Sequence, residues 1–304
     1  FSEGECIQSF IPACPMIMHM YSAAAIFEGG GMRGEYATGA IDAFLDNDIE
    51  FSSVYGVSAG ACHATSLISK QRGRAFRISS NYLHDKTYCS VYSLITTGGL
   101  FGVDMLFNRL HNELDLFDYD TYDAYSGKFY VVVTNLQTGK AEYKTLTTDE
   151  MRHGMHAIQA SSSMPLVSKV VHMGEFDYLD GCIGDSIPLE RSIEEGNQKN
   201  ILILTREAGY RKGSNKLMPL IKMKYREYPN FVARCADRHI RYNATLDLIA
   251  AEEKAGRAFV IRPKQALNVG VVTKSKEKLK GLYDQGYADT DARMDELLAY
   301  LKST

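Results

Sequence analysis

The sequence predicts an α/β fold, a mostly parallel sheet with helices on its faces and a helical C-terminal region. Two observations near the start carry most of this. An apolar run, a glycine-rich turn and a helical run follow one another through residues 29–34, and the same succession recurs through residues 56–60. A strand–turn–helix rhythm repeated this way is what parallel strands joined by crossover helices require. The third observation is that helical periodicity dominates the chain beyond about residue 206.

Taken in order, residues 23–28 read as a short buried strand. Residues 34–46 read as a helix, because Tyr36, Ala37, Ala40, Ile41, Phe44 and Leu45 recur at near-helical spacing. Residues 51–57 read as a second strand, and residues 59–70 as a helix whose apolar members include Cys62, Ala64, Leu67 and Ile68. The stretch 81–125 is rich in aromatics and glycine without a clear period. It reads as loops and short helices, a candidate cover over a site. Residues 129–136 and 141–146 read as strands around Thr138-Gly139. Residues 148–159 read as one helix, with Asp149 and Glu150 favourable in its first turn. Residues 168–173 and 176–179 read as strands around Gly174, and 201–205 as a β-branched strand. A long helix over 230–254, a last strand over 259–262, and helices near 275–285 and 289–301 complete the chain.

At 304 residues the chain is long enough for one large α/β domain or two small ones. No repeat, low-complexity tract or long linker divides it. Residues 20–304 therefore read as a single domain, with a core over about 23–205 and a helical extension over about 206–304. The formal net charge is −3 and no long basic run occurs, which argues against nucleic acid as the main partner. Cys6, Cys14, Cys62, Cys89, Cys182 and Cys235 are thinly spread with no C-x-x-C pair, which fits reduced thiols in a cytoplasmic protein. No apolar run approaches the roughly 20 residues that span a bilayer. Ala23-Ala24-Ala25 resembles a signal-peptide cleavage site, but Glu3 and Glu5 stand where a basic segment belongs, and Pro12, Pro15 and His19 interrupt the apolar part. Residues 1–19 read instead as a tail or expression remnant, with Met20 as the natural start.

Gly56-Val57-Ser58-Ala59-Gly60 fits G-x-S-x-G, the nucleophile elbow. Such a serine sits on a sharp strand-to-helix turn, where neighbouring elements come too close for a Cβ at the glycines. The helix N-terminus then turns its N–H groups and partial positive charge toward the serine. A plain N-cap serine at a βα turn is the structural alternative.

Gly29-Gly30-Gly31-Met32-Arg33-Gly34 admits two uses. It fits G-x-G-x-x-G, but a dinucleotide site wants an acid at the end of the second strand. Asp46, Asp48 and Glu50 all precede that strand, and Ser58 occupies its tip. The other use is a loop whose backbone N–H groups face a reacting carbonyl, with Arg33 bracing it or helping to hold the negative charge.

A serine nucleophile needs a base. Ser58, Asp180 and His239 satisfy the Ser–acid–His order of an α/β-hydrolase, yet His239 lies in the basic helical stretch 234–241 with no loop signal around it. Asp180, in Tyr178-Leu179-Asp180-Gly181-Cys182, follows a strand and enters a glycine turn. A simple Asp-Gly turn is its ordinary reading.

Together these residues resemble the patatin-like phospholipase family, close to its small bacterial members. The oxyanion loop matches at Gly29-Gly30-Gly31-Met32-Arg33-Gly34 and the elbow at Gly56-Val57-Ser58-Ala59-Gly60. The small-residue block matches at Ala160-Ser161-Ser162-Ser163-Met164-Pro165, and the acid at Asp180-Gly181. The likeness covers about residues 23–205. It implies a three-layer α/β/α fold and a serine acyl hydrolase of lipid esters, phospholipids or lysophospholipids, that works with a Ser58–Asp180 dyad. The N–H groups of Gly30, Gly31 and Met32 would form the oxyanion hole, with Arg33 in support. The reaction so implied uses no metal or organic cofactor. The partner is a lipid ester, met in transient contact with a membrane surface. The aromatic stretch 88–125 is either an acyl-chain pocket or ordinary packing. Cys182, where the family carries Gly or Ala, raises the expectation of a thiol-sensitive site. Two rivals stay open: a lipid-binding or regulatory module on the same scaffold, and a Ser–Asp–His esterase.

Overall fold

The computed structural model describes residues 19–303, and eight strands among them share one sheet. They are β1 (His19–Phe27), β2 (Ile49–Val57), β3 (Lys128–Asn135), β4 (Ala141–Lys144), β5 (Val171–Met173), β6 (Phe176–Asp180), β7 (Asn200–Ile203) and β8 (Ala258–Ile261). The order is β5-β6-β3-β2-β1-β7-β8, with β4 also paired to β3. Pairing is parallel from β3 through β2, β1 and β7 to β8, and antiparallel where β4, β5 and β6 join.

Both faces of the parallel part are covered, which is why the Ala23–Phe27 stretch shows no polar alternation. Ala23, Ala25 and Phe27 enter a core shared with helices Glu35–Asp46, Ala59–Ile68, Lys276–Asp291 and Met294–Lys302. Ala24 and Ile26 enter a second core with Leu189 and with Tyr242 and Ile249 of the Pro229–Lys254 helix. The result is three layers. On the first face, helices Glu35–Asp46 and Lys276–Asp291 touch backbone to backbone. A Cβ on Gly39 would stand 2.1 Å from the Tyr283 carbonyl oxygen, and one on Gly286 1.8 Å from that of Tyr36.

Sheet register prepares the site. Val57 of β2 pairs with Val132 of β3, and Val133 pairs with Asp180 of β6. Ser58 and Asp180 therefore emerge at one level with a single strand between them. On the other side Phe27 pairs with Gly56, which sets the loop after β1 beside the turn after β2.

Several expectations are corrected. The helix expected over 148–159 is two, Thr148–Arg152 and His156–Ser161. Gly154 at φ +117° and Met155 at φ +49° break the ladder between them. The stretch 81–125 holds more order than expected, including the π-helix Met105–Leu114. Helices Arg74–Asn81, Leu189–Glu194 and Met218–Lys224 were not among the expected elements. Of the last two helices, the first runs on to Asp291, over Lys276–Asp291, and the second starts later than expected, over Met294–Lys302. His19, placed in the tail, already pairs with Ile49 in β1, while the rest of the expected tail, residues 1–18, lies outside the described residues. No helix among the described residues is long and apolar enough to cross a membrane.

Candidate active site

Val57 ends β2 and Ala59 opens the next helix, so Ser58 alone makes the turn. Its backbone sits at φ 55°, ψ −124°, a strained conformation for a residue with a Cβ. Neighbours hold it there. The Ser58 N–H donates to Ser161 Oγ at 2.8 Å, and the Ser58 carbonyl accepts from the Ala61 and Cys62 N–H groups at 2.9 and 3.2 Å. A Cβ on Gly56 would lie 2.4 Å from Ala61 Cα, and one on Gly60 2.4 Å from the Phe27 carbonyl oxygen. The elbow glycines are thus steric requirements of a turn this tight.

Across β3, Ser58 Oγ donates to Asp180 Oδ2 at 3.0 Å. Asp180 Oδ1 accepts the Cys182 N–H at 2.8 Å, capping the short helix Gly181–Gly184. The Asp180 N–H donates to the Ser163 carbonyl at 2.9 Å, and its own carbonyl accepts Thr134 Oγ1 at 2.7 Å. Asp180 is 3% exposed. Burial raises its carboxyl pKa above the ordinary value, against the lowering effect of the Cys182 N–H, the Arg238 charge and the Ser58 hydroxyl. A carboxylate so placed is a stronger proton acceptor than one in water.

The loop after β1 forms the opposite wall. Gly29 packs so closely that a Cβ would fall 2.8 Å from Ser58 Cβ and 2.7 Å from Cys182 Sγ. Among the described residues the N–H groups of Gly30 and Gly31 have no hydrogen-bond partner. Met32, expected as a third donor, is corrected: its N–H donates to the Val271 carbonyl at 2.9 Å. Arg33 is half-buried and does not line the cavity; its charge falls among Arg206, Glu28 and Tyr210, and its Nε is buried without a hydrogen-bond partner among the described residues. Gly34 closes the loop against Ala59 and His63. Glu28 anchors the other end, accepting from the Thr205 N–H at 2.7 Å and the Tyr242 hydroxyl at 2.6 Å. Glu28, Thr205, Tyr242, Val271 and Arg238 escaped the sequence reading. Only Glu28, a lone acid closing an apolar strand, left a signal that could have found it.

Ser58 opens on a cavity of about 480 Å³ lined by Met32, Phe101, Leu106, Phe107, Met164 and Val170, with Glu35, His63, Ser79 and Tyr88 at its polar part. Glu35 and His63 stand 4.0 Å apart. Burial raises the Glu35 pKa to about 8 and lowers that of His63 to about 4, so near pH 7 both are largely uncharged. The aromatic stretch does two jobs. Tyr88, Phe101 and Phe107 line the cavity, while Phe117, Tyr119 and Tyr122 pack on one another beside Arg74.

Among the described residues Asp180 has no histidine hydrogen-bond partner, and His239 lies on the Pro229–Lys254 helix outside the cavity. Burial and the Asp180 carboxylate push the Cys182 thiol far up, which favours the protonated form over the reactive thiolate. Among the described residues no group of three or more His, Cys, Asp or Glu side chains could hold a metal ion.

Comparison with known proteins gives two regions. The pattern of the patatin-like phospholipase family matches residues 25–193, and a domain of unknown function (DUF6363) matches residues 228–302. The uncharacterized protein YjjU of Escherichia coli K12 is 28% identical over 188 residues, 60% of this chain and 51% of its own length. The protein named "Probable lipid hydrolase 463L" of Invertebrate iridescent virus 6 is 22% identical over 203 residues, 59% of this chain and 66% of its own length. The chain thus spans between about half and two thirds of these curated relatives. The crystal structure of VipD from Legionella pneumophila overlays with a TM-score of 0.44 at 12% identity, covering 93% of this chain and 67% of that one.

Proposed function

The chain belongs to the patatin-like phospholipase family, and on that premise we propose that it is a serine acyl hydrolase of lipid esters. Ser58 is the nucleophile, Asp180 the general base, and the Gly30 and Gly31 N–H groups the oxyanion hole. The observation that carries the reading is the 3.0 Å hydrogen bond from Ser58 Oγ to the buried Asp180, formed at a strained elbow that opens on an apolar cavity.

In this reading Asp180 takes the Ser58 hydroxyl proton as Oγ attacks the ester carbonyl carbon. The negative charge that forms on the carbonyl oxygen meets the loop N–H groups, which are aimed in advance. Collapse expels the alcohol, which leaves with the proton from Asp180. Water then attacks the acyl-serine, again losing a proton to Asp180, and the carboxylic acid departs as Ser58 regains its proton. An uncharged Glu35–His63 wall suits an acyl chain, so a phospholipid or lysophospholipid is the proposed substrate. Val91, Tyr92 and Ile95 are exposed on the Val91–Thr97 helix, and Thr97 lines the cavity. We place the membrane contact there, made from the cytoplasm by a single-domain protein.

The test is turnover of a short-chain nitrophenyl ester by the wild type, with Ser58→Ala and Asp180→Asn beside it. Loss in both variants with the fold retained supports the dyad. No turnover by the wild type at any chain length, alongside lipid binding, points instead to a lipid-binding module. Loss in His239→Ala points to a triad.

A further inference from the structure

The Pro229–Lys254 helix, which belongs to the region matched only as a domain of unknown function, carries Arg234, Arg238 and Arg241 at spacings of four and three. That spacing puts them on one helix face. All three reach the same target. Arg238 Nε donates to the Cys182 carbonyl at 2.6 Å, Arg241 Nη2 to that of Ile183 at 2.7 Å, and Arg234 Nη2 to that of Gly184 at 2.7 Å. These carbonyls belong to the four-residue helix Gly181–Gly184, which Asp180 caps at its other end. A helix this short leaves its last carbonyls unpaired, and cations suit that end.

The short helix has no slack. A Cβ on Gly181 would stand 2.1 Å from the Val132 carbonyl oxygen, and one on Gly184 2.9 Å from Ala141 Cα. Asp180 is thus one end of a rigid rod whose other end the arginines hold. Burial lowers the Arg234 and Arg241 pKa values, the latter to about 10, so the cations are held there at a desolvation cost. The same region also supplies the Val271 carbonyl that takes the Met32 N–H beside the oxyanion loop.

We propose that residues 228–302 complete the catalytic unit, with Arg234, Arg238 and Arg241 as positioning residues that fix Asp180 against Ser58 by gripping the Gly181–Gly184 helix. This rests on the acyl-hydrolase reading above. The groups facing Asp180 are Ser58, Cys62 from the Ala59–Ile68 helix, Cys182 and Arg238, and Arg238 is the cation whose charge falls on it.

The experiment uses the full chain with Arg238→Gln, Arg238→Lys and Arg241→Gln, a soluble nitrophenyl ester and hydrogen exchange over residues 178–187. Removing the tether lets the acid drift from its place. Roughly a tenfold to hundredfold fall in kcat with unchanged KM is expected for Arg238→Gln. The acid limb of kcat moves to higher pH in that variant and returns to its wild-type position in Arg238→Lys. Exchange over 178–187 rises in Arg238→Gln and Arg241→Gln. Wild-type kcat, acid limb and exchange in both glutamine variants overturn the proposal, as does a fall in Tm with kcat and limb unmoved. If the wild type turns over no ester, the hydrolase reading fails by itself, and the exchange measurement still judges the tether.

Discussion

Replacing Glu35 with glutamine is predicted to stabilise the protein by about 3 kcal/mol more at pH 8 than at pH 5. Glu35 opens the Glu35–Asp46 helix and is 1% exposed, and burial raises its pKa from 4.5 to about 8. Between those values the folded protein keeps a proton that the unfolded chain has released. Stability from this group is therefore fullest below pH 4.5 and is lost as pH rises toward 8. Each unit in that window costs about 1.4 kcal/mol, and rounding at both ends brings the three units from pH 5 to pH 8 down to about 3 kcal/mol. His63 acts with the opposite sign. Its pKa is lowered from 6.5 to about 4, so its stability contribution grows as pH rises through that range. His111, lowered to about 3, behaves alike. Subtracting the variant from the wild type removes both histidine terms, provided the substitution leaves their surroundings intact. Urea denaturation of the two proteins at pH 5, 6.5 and 8 is the assay. A stability difference that does not change with pH would refute the reasoning, and with it the claim that this cavity wall is uncharged at neutral pH.

Ser161→Ala leaves the Ser58 N–H buried without an acceptor, which is expected to cost about 1–3 kcal/mol in chemical denaturation and to lower kcat as the elbow relaxes. Gly29→Ala drives a Cβ to 2.8 Å from Ser58 Cβ and 2.8 Å from the Val57 carbonyl oxygen. Overpacking of that kind costs about 1–3 kcal/mol, and ester turnover is expected to fall much further than stability. Val91→Asp with Ile95→Asp, on the exposed apolar face of its helix, is expected to reduce turnover of long-chain lipid in vesicles while sparing a soluble ester. Equal loss on both substrates would remove that helix from the membrane contact.

The layered fold was legible because parallel strands buried on both faces leave continuous apolar runs, as in the Ala23–Phe27 stretch. The elbow and its partner loop were legible as glycines, since Gly29, Gly56 and Gly60 each sit where a Cβ would collide. Register was beyond reach: nothing local in the sequence says that Val133 pairs with Asp180, the pairing that sets the acid level with Ser58. The contacts from the far end of the chain were hidden for the same reason. Arg238 reads as one more exposed helical cation until the Cys182 carbonyl is placed against it, and Val271 as a plain loop residue until Met32 is. The break at Gly154–Met155 was missed because apolar residues continue at helical spacing across it, while two positive φ angles end the helix.

The central claim is that Ser58 is the nucleophile and Asp180 its base. Labelling the wild-type protein with a fluorophosphonate and mapping the adduct by mass spectrometry tests it most directly. The account predicts one adduct, on Ser58, formed far more slowly in Asp180→Asn. An adduct on any other residue, or undiminished labelling of Ser58 in Asp180→Asn, would contradict it.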